Sequence, residues 1–121
     1  MEPRRPEDVF DGYLEALAAF RTVQALVGSI GPADVVVSKT QVAFRRRRGF
    51  AYVWAPGRWL RTPSAGAVLS IALTRCVESP RFKQVARPTR AIWMHHLEIR
   101  TPDDLDDEVR SWLAEAWADA E

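Results

Sequence analysis

The chain has 121 residues, 47% of them hydrophobic and 27% charged, the size and balance of a single domain, 1–121, that folds alone around a core; two domains and a disordered chain are excluded. No apolar run approaches the ~18 residues of a membrane span, no signal-type apolar segment follows Arg4 and Arg5, and the single Cys76 has no internal disulfide partner, so a soluble, cytoplasmic domain without membrane contact is expected. The net charge of +1 conceals a division: residues 37–100 hold thirteen basic side chains against Glu78 and Glu98, a balance of +11, whereas 1–36 carry −3 and 101–121 carry −7.

Pro6 followed by Glu7 and Asp8 reads as a helix start, because proline suits the first helical position and acids suit the positive end of the dipole. From Tyr13 to Ser29 the apolar residues Leu14, Leu17, Phe20, Val23, Leu26 and Ile30 recur every three to four positions, which predicts a long helix. Gly12 separates it from the short opening turn, and Gly31-Pro32 ends it. Short segments rich in β-branched and aromatic residues then predict strands at 34–39, 41–46, 50–55, 58–61, 68–75 and 92–100. Turns are expected at Arg48-Gly49 and Pro56-Gly57. Alternation places Leu69, Ile71 and Leu73 on one face of the fifth segment and Ser70, Ala72 and Thr74 on the other. In the last segment Trp93, His95, Leu97 and Ile99 oppose Met94, His96, Glu98 and Arg100. Residues 78–90 read as a long polar loop. Thr101-Pro102-Asp103-Asp104 carries the start signals of a final helix, whose stripe is Leu105, Val109, Trp112, Leu113, Ala116 and Trp117.

The expected fold is α+β: a mainly antiparallel β-meander of five to six strands, with the N-terminal and C-terminal helices packed on one face and the other face open.

Few residues carry chemistry. Arg45, Arg46, Arg47 and Arg48 form a run of cations suited to phosphate or carboxylate, although successive strand residues point to opposite faces, so only half of the run serves one surface. Phe44, Phe50, Tyr52, Trp54 and Trp59 interleave with these cations as a stacking platform would; Phe44 and Phe50 read better as core. His95 and His96 are adjacent, so in a strand they diverge and form no chelating pair, and one cysteine leaves a zinc site without its usual ligands. His95 reads as a satisfied histidine at the core edge and His96 as an exposed one near Glu98. Neither Ser70 nor Ser79 sits in a glycine-framed nucleophile elbow. The acids Asp103, Asp104, Asp106, Asp107 and Glu108 read as a helix start rather than a metal site.

The order Lys39-Thr40, Phe44-Arg45, Phe50-Ala51, Pro80-Arg81-Phe82, His95-His96-Leu97 and Asp104-Leu105-Asp106 leading to Trp112-Leu113-Ala114-Glu115-Ala116 resembles the bacterial family catalogued as domain of unknown function 5655, over nearly the whole chain. The resemblance implies no assigned activity and no catalytic residues. More distantly, a helix, a β-meander and a closing helix after Asp-Leu-Asp are similar in layout to the YjbR group, whose double-wing shape has been likened to nucleic-acid-binding folds.

The sequence therefore favours a non-enzymatic binding module, without cofactor or metal. Its basic surface centres on Arg45 to Arg48, is extended by Lys39, Arg81 and Lys83, and meets an anionic partner, nucleic acid first and another polyanion second. The alternative is a small anionic-ligand or catalytic pocket where the 80–90 loop approaches His95 and His96, with Lys39 and Arg81 fixing the anion. A homodimer of basic face on acidic helix is a third expectation.

Overall fold

The computed structural model describes residues 4–121. Helix α1 (Pro6–Val9) opens on the Arg5 N–H, which donates to the Asp8 carboxylate at 3.0 Å. Gly12, at φ +82°, lets the chain reverse into α2 (Leu14–Ile30). The face of α2 that the 3.6-residue period selects, Ala16, Ala19, Phe20, Val23 and Val27, is buried. Its last turn closes through the Gly31 N–H on the Val27 carbonyl, and Pro32 follows.

Six strands come next: β1 (Asp34–Val37), β2 (Gln41–Arg45), β3 (Gly49–Trp54), β4 (Ala67–Leu73), β5 (Phe82–Ala86) and β6 (Trp93–Ile99). They form one antiparallel sheet in the order β1-β2-β3-β4-β6-β5. Helix α3 (Asp107–Asp119) packs with α2 on one face. There Val42, Phe44, Ala51, Val53, Leu69, Ile71, Leu73, Leu97 and Ile99 meet the helices in a single core. Phe20 stacks on Phe44 at 5.8 Å, and Trp112 of α3 packs on Phe82 at 4.6 Å. The fold is α+β, as expected, with one sheet face free of helices. No helix among the described residues is long and apolar enough to cross a membrane.

Three expectations about local structure are corrected. The strand at 58–61 with its Pro-Gly hairpin is absent: Pro56–Arg58 is a 3-10 turn in which Arg58 donates to Ala55 and both Trp59 and Leu60 donate to Pro56. The backbone is thereby satisfied locally, and no ladder forms. The loop at 78–90 contains β5, which alternation disguised because Lys83, Gln84 and Val85 of this edge strand are exposed and only Phe82 is buried. The final helix begins later than Thr101. Pro102–Asp104 makes one 3-10 turn, with Asp104 accepting from the N–H groups of Arg100 and Thr101, and Asp106 is the true cap, accepting from Val109 at 3.1 Å.

The registers align one residue from each strand across the helix-free face: Val36, Ala43, Tyr52, Ser70, His96 and Gln84 lie in a single cross-strand row. Gln41, Trp54, Val68 and Glu98 form the next row.

Candidate binding cleft on the open sheet face

A cleft of about 500 Å3 lies over these rows, lined by Thr40, Gln41, Tyr52, Trp54, Trp59, Ser70, Met94 and His96. Strand alternation brings Tyr52 and Trp54 up from β3, Ser70 from β4, and Met94 with His96 from β6. The 3-10 turn places Trp59, 62% exposed, at one wall. A hollow of about 180 Å3 adjoins it through Trp54 and His96 and is bounded by Leu60, Ser64, Lys83 and Glu98. Another, of about 320 Å3, adjoins it through Gln41 and Tyr52 and runs past Ala43 and Arg45 to Val36 and Ser38. The three make a continuous trough across the sheet, aromatic in its middle and bordered by a cation at each end.

The floor is set by a chain of polar groups. The Trp54 indole N–H donates to Ser70 Oγ at 3.0 Å, and Ser70 Oγ lies 2.7 Å from His96 Nδ1. An indole only donates, so the hydroxyl accepts from Trp54 and satisfies all three groups by giving its own proton to Nδ1, which leaves His96 protonated at Nε2. The His96 pKa is lowered, first by burial and then by the charge of His95, in keeping with a neutral imidazole. Trp54 also meets His96 edge to face at 6.3 Å. Ser70, only 3% exposed and on a strand paired on both sides, orients its neighbours. The floor thus offers aromatic surface beside one oriented donor, the His96 Nε2–H, the makeup of a recognition site for a planar, partly polar group.

His95 is not in the cleft. It faces the helices, wholly buried, accepts from the Val77 N–H at 3.0 Å through Nε2, and lies 3.2 Å from the Ile71 carbonyl through Nδ1. Burial lowers its pKa, and its ring packs 4.9 Å from Phe82. His96, expected to be exposed near Glu98, is instead half-buried and bonded to Ser70.

The cations of the basic block are distributed over both sides of the sheet. Arg81 is held by Asp106 at 3.0 Å, by Glu108 at 2.9 Å and by the Asp104 carbonyl at 2.7 Å. The bond to Arg81 is the main reason the Asp106 pKa is lowered. Arg75 makes two 2.8 Å bonds to Glu115. Arg46 donates to the Trp117 carbonyl at 3.0 Å and lies over that indole at 3.7 Å, while the Arg47 backbone N–H donates to Ala120. Nε and one terminal nitrogen of Arg48 are buried without a partner among the described residues. The side chains of Arg46 and Arg81 therefore dock the acidic C-terminal segment, whereas those of Arg45 and Arg47 are exposed. On the helix-free side, Lys83 shares Glu98 with Arg100 at 3.3 and 3.4 Å, and Ser64 also bonds Glu98, whose pKa is lowered chiefly by that hydroxyl. Lys39 and Arg45, both exposed at opposite ends of β2, have no carboxylate within 4.0 Å among the described residues; Asp34 faces Arg45 across the ladder.

Of the residues singled out beforehand, His96, Arg45 and Lys83 line the trough and Lys39 adjoins Thr40 at its rim, whereas His95, Arg46 and Arg81 are engaged elsewhere. Phe44 and Phe50 are core, 1% exposed. Thr40, Gln41, Ser70 and Met94 were not recognised as cleft residues. Alternation separates Ser70, Met94 and His96 from the core positions, but only the ladder registers bring them together.

The family described as Domain of unknown function (DUF5655) matches residues 7–120, from α1 to the end of α3. The chain belongs to the DUF5655 family. No curated protein and no solved structure matches it. The family match spans every strand that contributes to the cleft, and the description of the family assigns it no activity.

Proposed function

We propose that this DUF5655 chain is a non-enzymatic binding module whose ligand lies along the open sheet face: a short single-stranded nucleic acid, with bases on Tyr52 and Trp54 and phosphates at Lys39 and Arg45. The observation that carries the reading is the trough itself, in which Tyr52, Trp54 and Trp59 stand beside Gln41 and a His96 ring held by Ser70, with cations at its border. A trough lined by partly exposed aromatics suits unstacked bases, and a face without a projecting helix or ribbon does not suit a duplex groove. The acidic segment 101–121 draws several of its contacts from cations on the other side of the sheet, so it leaves Lys39 and Arg45 to a ligand.

Anisotropy of labelled single-stranded and duplex oligonucleotides, titrated across a salt series, tests this. Stacking contributes about 1–3 kcal/mol per base, so Trp54→Ala should weaken single-strand binding roughly tenfold. Each phosphate contact adds about 0.7 to the salt slope for a single strand, so Lys39→Gln and Arg45→Gln should each flatten it by about that much. Binding absent even at low salt, or unchanged by Trp54→Ala, overturns the reading.

The volume of the central cleft, about 500 Å3, favours a second reading, a small-ligand pocket with His96 as one of its donors. It predicts that mononucleotides or other small heteroaromatic anions raise the melting temperature as well as longer strands do, and that His96→Ala removes the rise.

A further inference from the structure

The two edges of the sheet are built differently. At β5 the pairing with β6 is interrupted by a bulge between Phe82 and Gln84 that carries Lys83, and Arg87 and Pro88 follow directly. Charges, prolines and bulges are the devices by which edges refuse a further strand. β1 is guarded less: it has no bulge, its one charge is Asp34 at the end of the strand, Pro32 lies outside it, and three valines follow in unbroken register with β2, with Val35 and Val36 40% and 44% exposed. We propose that β1 pairs antiparallel with β1 of a second copy of this chain, joining two six-stranded sheets about a two-fold axis normal to them.

The ladder determines what such pairing offers. The Ser38 N–H donates to the Gln41 carbonyl at the β1–β2 turn, and the alternation of antiparallel bonding then makes Val36–Ala43 and Asp34–Arg45 the bonded pairs. The N–H and C=O groups of Val35 and Val37 consequently point outward. Pairing centred on Val36 sets Val35 of one copy opposite Val37 of the other, matching outward donors with outward acceptors at both symmetric positions. Val35 and Val37 then meet on the helix side and Val36 meets its own copy on the open side, β-branched pairs that suit a pleated ladder. The Asp34 end of each strand comes beside the Ser38–Lys39 end of the other, so the charges at the two ends of the segment are complementary. A second copy carries the hydrophobic run and this polarity by symmetry. Four residues a side bury far less than the ~1,200 Å2 of a stable interface, which makes the association concentration-dependent. The hollow that ends at Val36 and Ser38 brings the two troughs together across the axis.

Sedimentation over a concentration series tests the pairing, together with disulfide capture in a Cys76→Ser background. The expected mass rises from 13.7 kDa toward twice that value, and Val36→Lys stays monomeric with an unaltered melting curve. Val36→Cys links to its copy, because facing non-bonded residues lie ~4.5 Å apart at Cα, within disulfide range. Val85→Cys on the guarded edge, 37% exposed in the wild-type chain, does not. A wild-type mass constant at all concentrations, a Val36→Lys protein that still dimerises, or equal linkage at positions 36 and 85 overturns the proposal. Should Val36→Lys fail to fold, the contrast between the two cysteine variants decides.

Discussion

Replacing His95 with phenylalanine should destabilise the domain at neutral pH and make the deficit shrink as the solution is acidified. The loss has two sources: the larger phenyl ring overpacks a fully buried position, and the buried Val77 N–H loses its acceptor, whereas the Ile71 carbonyl belongs to a strand paired on both sides. An unsatisfied buried N–H costs about 1–3 kcal/mol and overpacking about as much again, which sets the expected loss at about 2–6 kcal/mol. The pH dependence has a definite sign. Burial depresses the folded-state pKa of His95 below its ordinary 6.5, so the unfolded chain binds this proton more readily. The stability supplied by the neutral imidazole is complete above the unfolded value. It is lost as the pH falls toward the folded value, at no more than about 1.4 kcal/mol per pH unit. The phenylalanine variant has no such proton to bind, and the larger cause of the lowered His96 pKa, its burial, is present in both proteins. Urea unfolding of both proteins at intervals over roughly pH 5 to 7.5 measures the gap above the range in which depressed carboxylates such as Glu98, Asp106 and Glu115 act. A gap that stays constant or widens in acid refutes the assignment of His95 as a neutral, hydrogen-bonded core residue.

Arg81→Gln should lower stability by about 1–2 kcal/mol after allowance for partial exposure, less at high salt, because it breaks the contacts with Asp106, Glu108 and Asp104; oligonucleotide affinity should not change, and a large loss of binding would return Arg81 to the interface. Gly31→Ala should destabilise by about 1–3 kcal/mol in a thermal or urea melt. Gly31 is extended, and a Cβ there would collide with the Trp117 ring. Relief would displace the 2.9 Å bond from Trp117 Nε1 to Pro32 and the overlying Arg46; wild-type stability in this variant would show that the ring moves freely.

Periodicity and punctuation in the chain determined that a long helix precedes a sheet and another helix closes it. The 3.6-residue stripe of α2, the stop at Gly31-Pro32 and the alternation in β4 and β6 are local signals that tertiary packing did not override. Alternation likewise separated His95 from His96, since neighbouring strand residues must face opposite sides. Tertiary structure alone decided which cations remain available: Arg81 and Glu108 are far apart in sequence, and nothing short of the packed α3 shows that this cation is taken. It also decided the short elements. Phe82 and its exposed neighbours have no strand signature until β6 offers a ladder, and residues 56–60 close their own hydrogen bonds because no neighbour is placed to accept them. The cleft belongs to this second class. Alternation declares that Ser70 and His96 leave the core and left the face of Tyr52 open, and registers between residues up to 26 positions apart place all three in one row, because register is a property of paired backbones that no single strand contains.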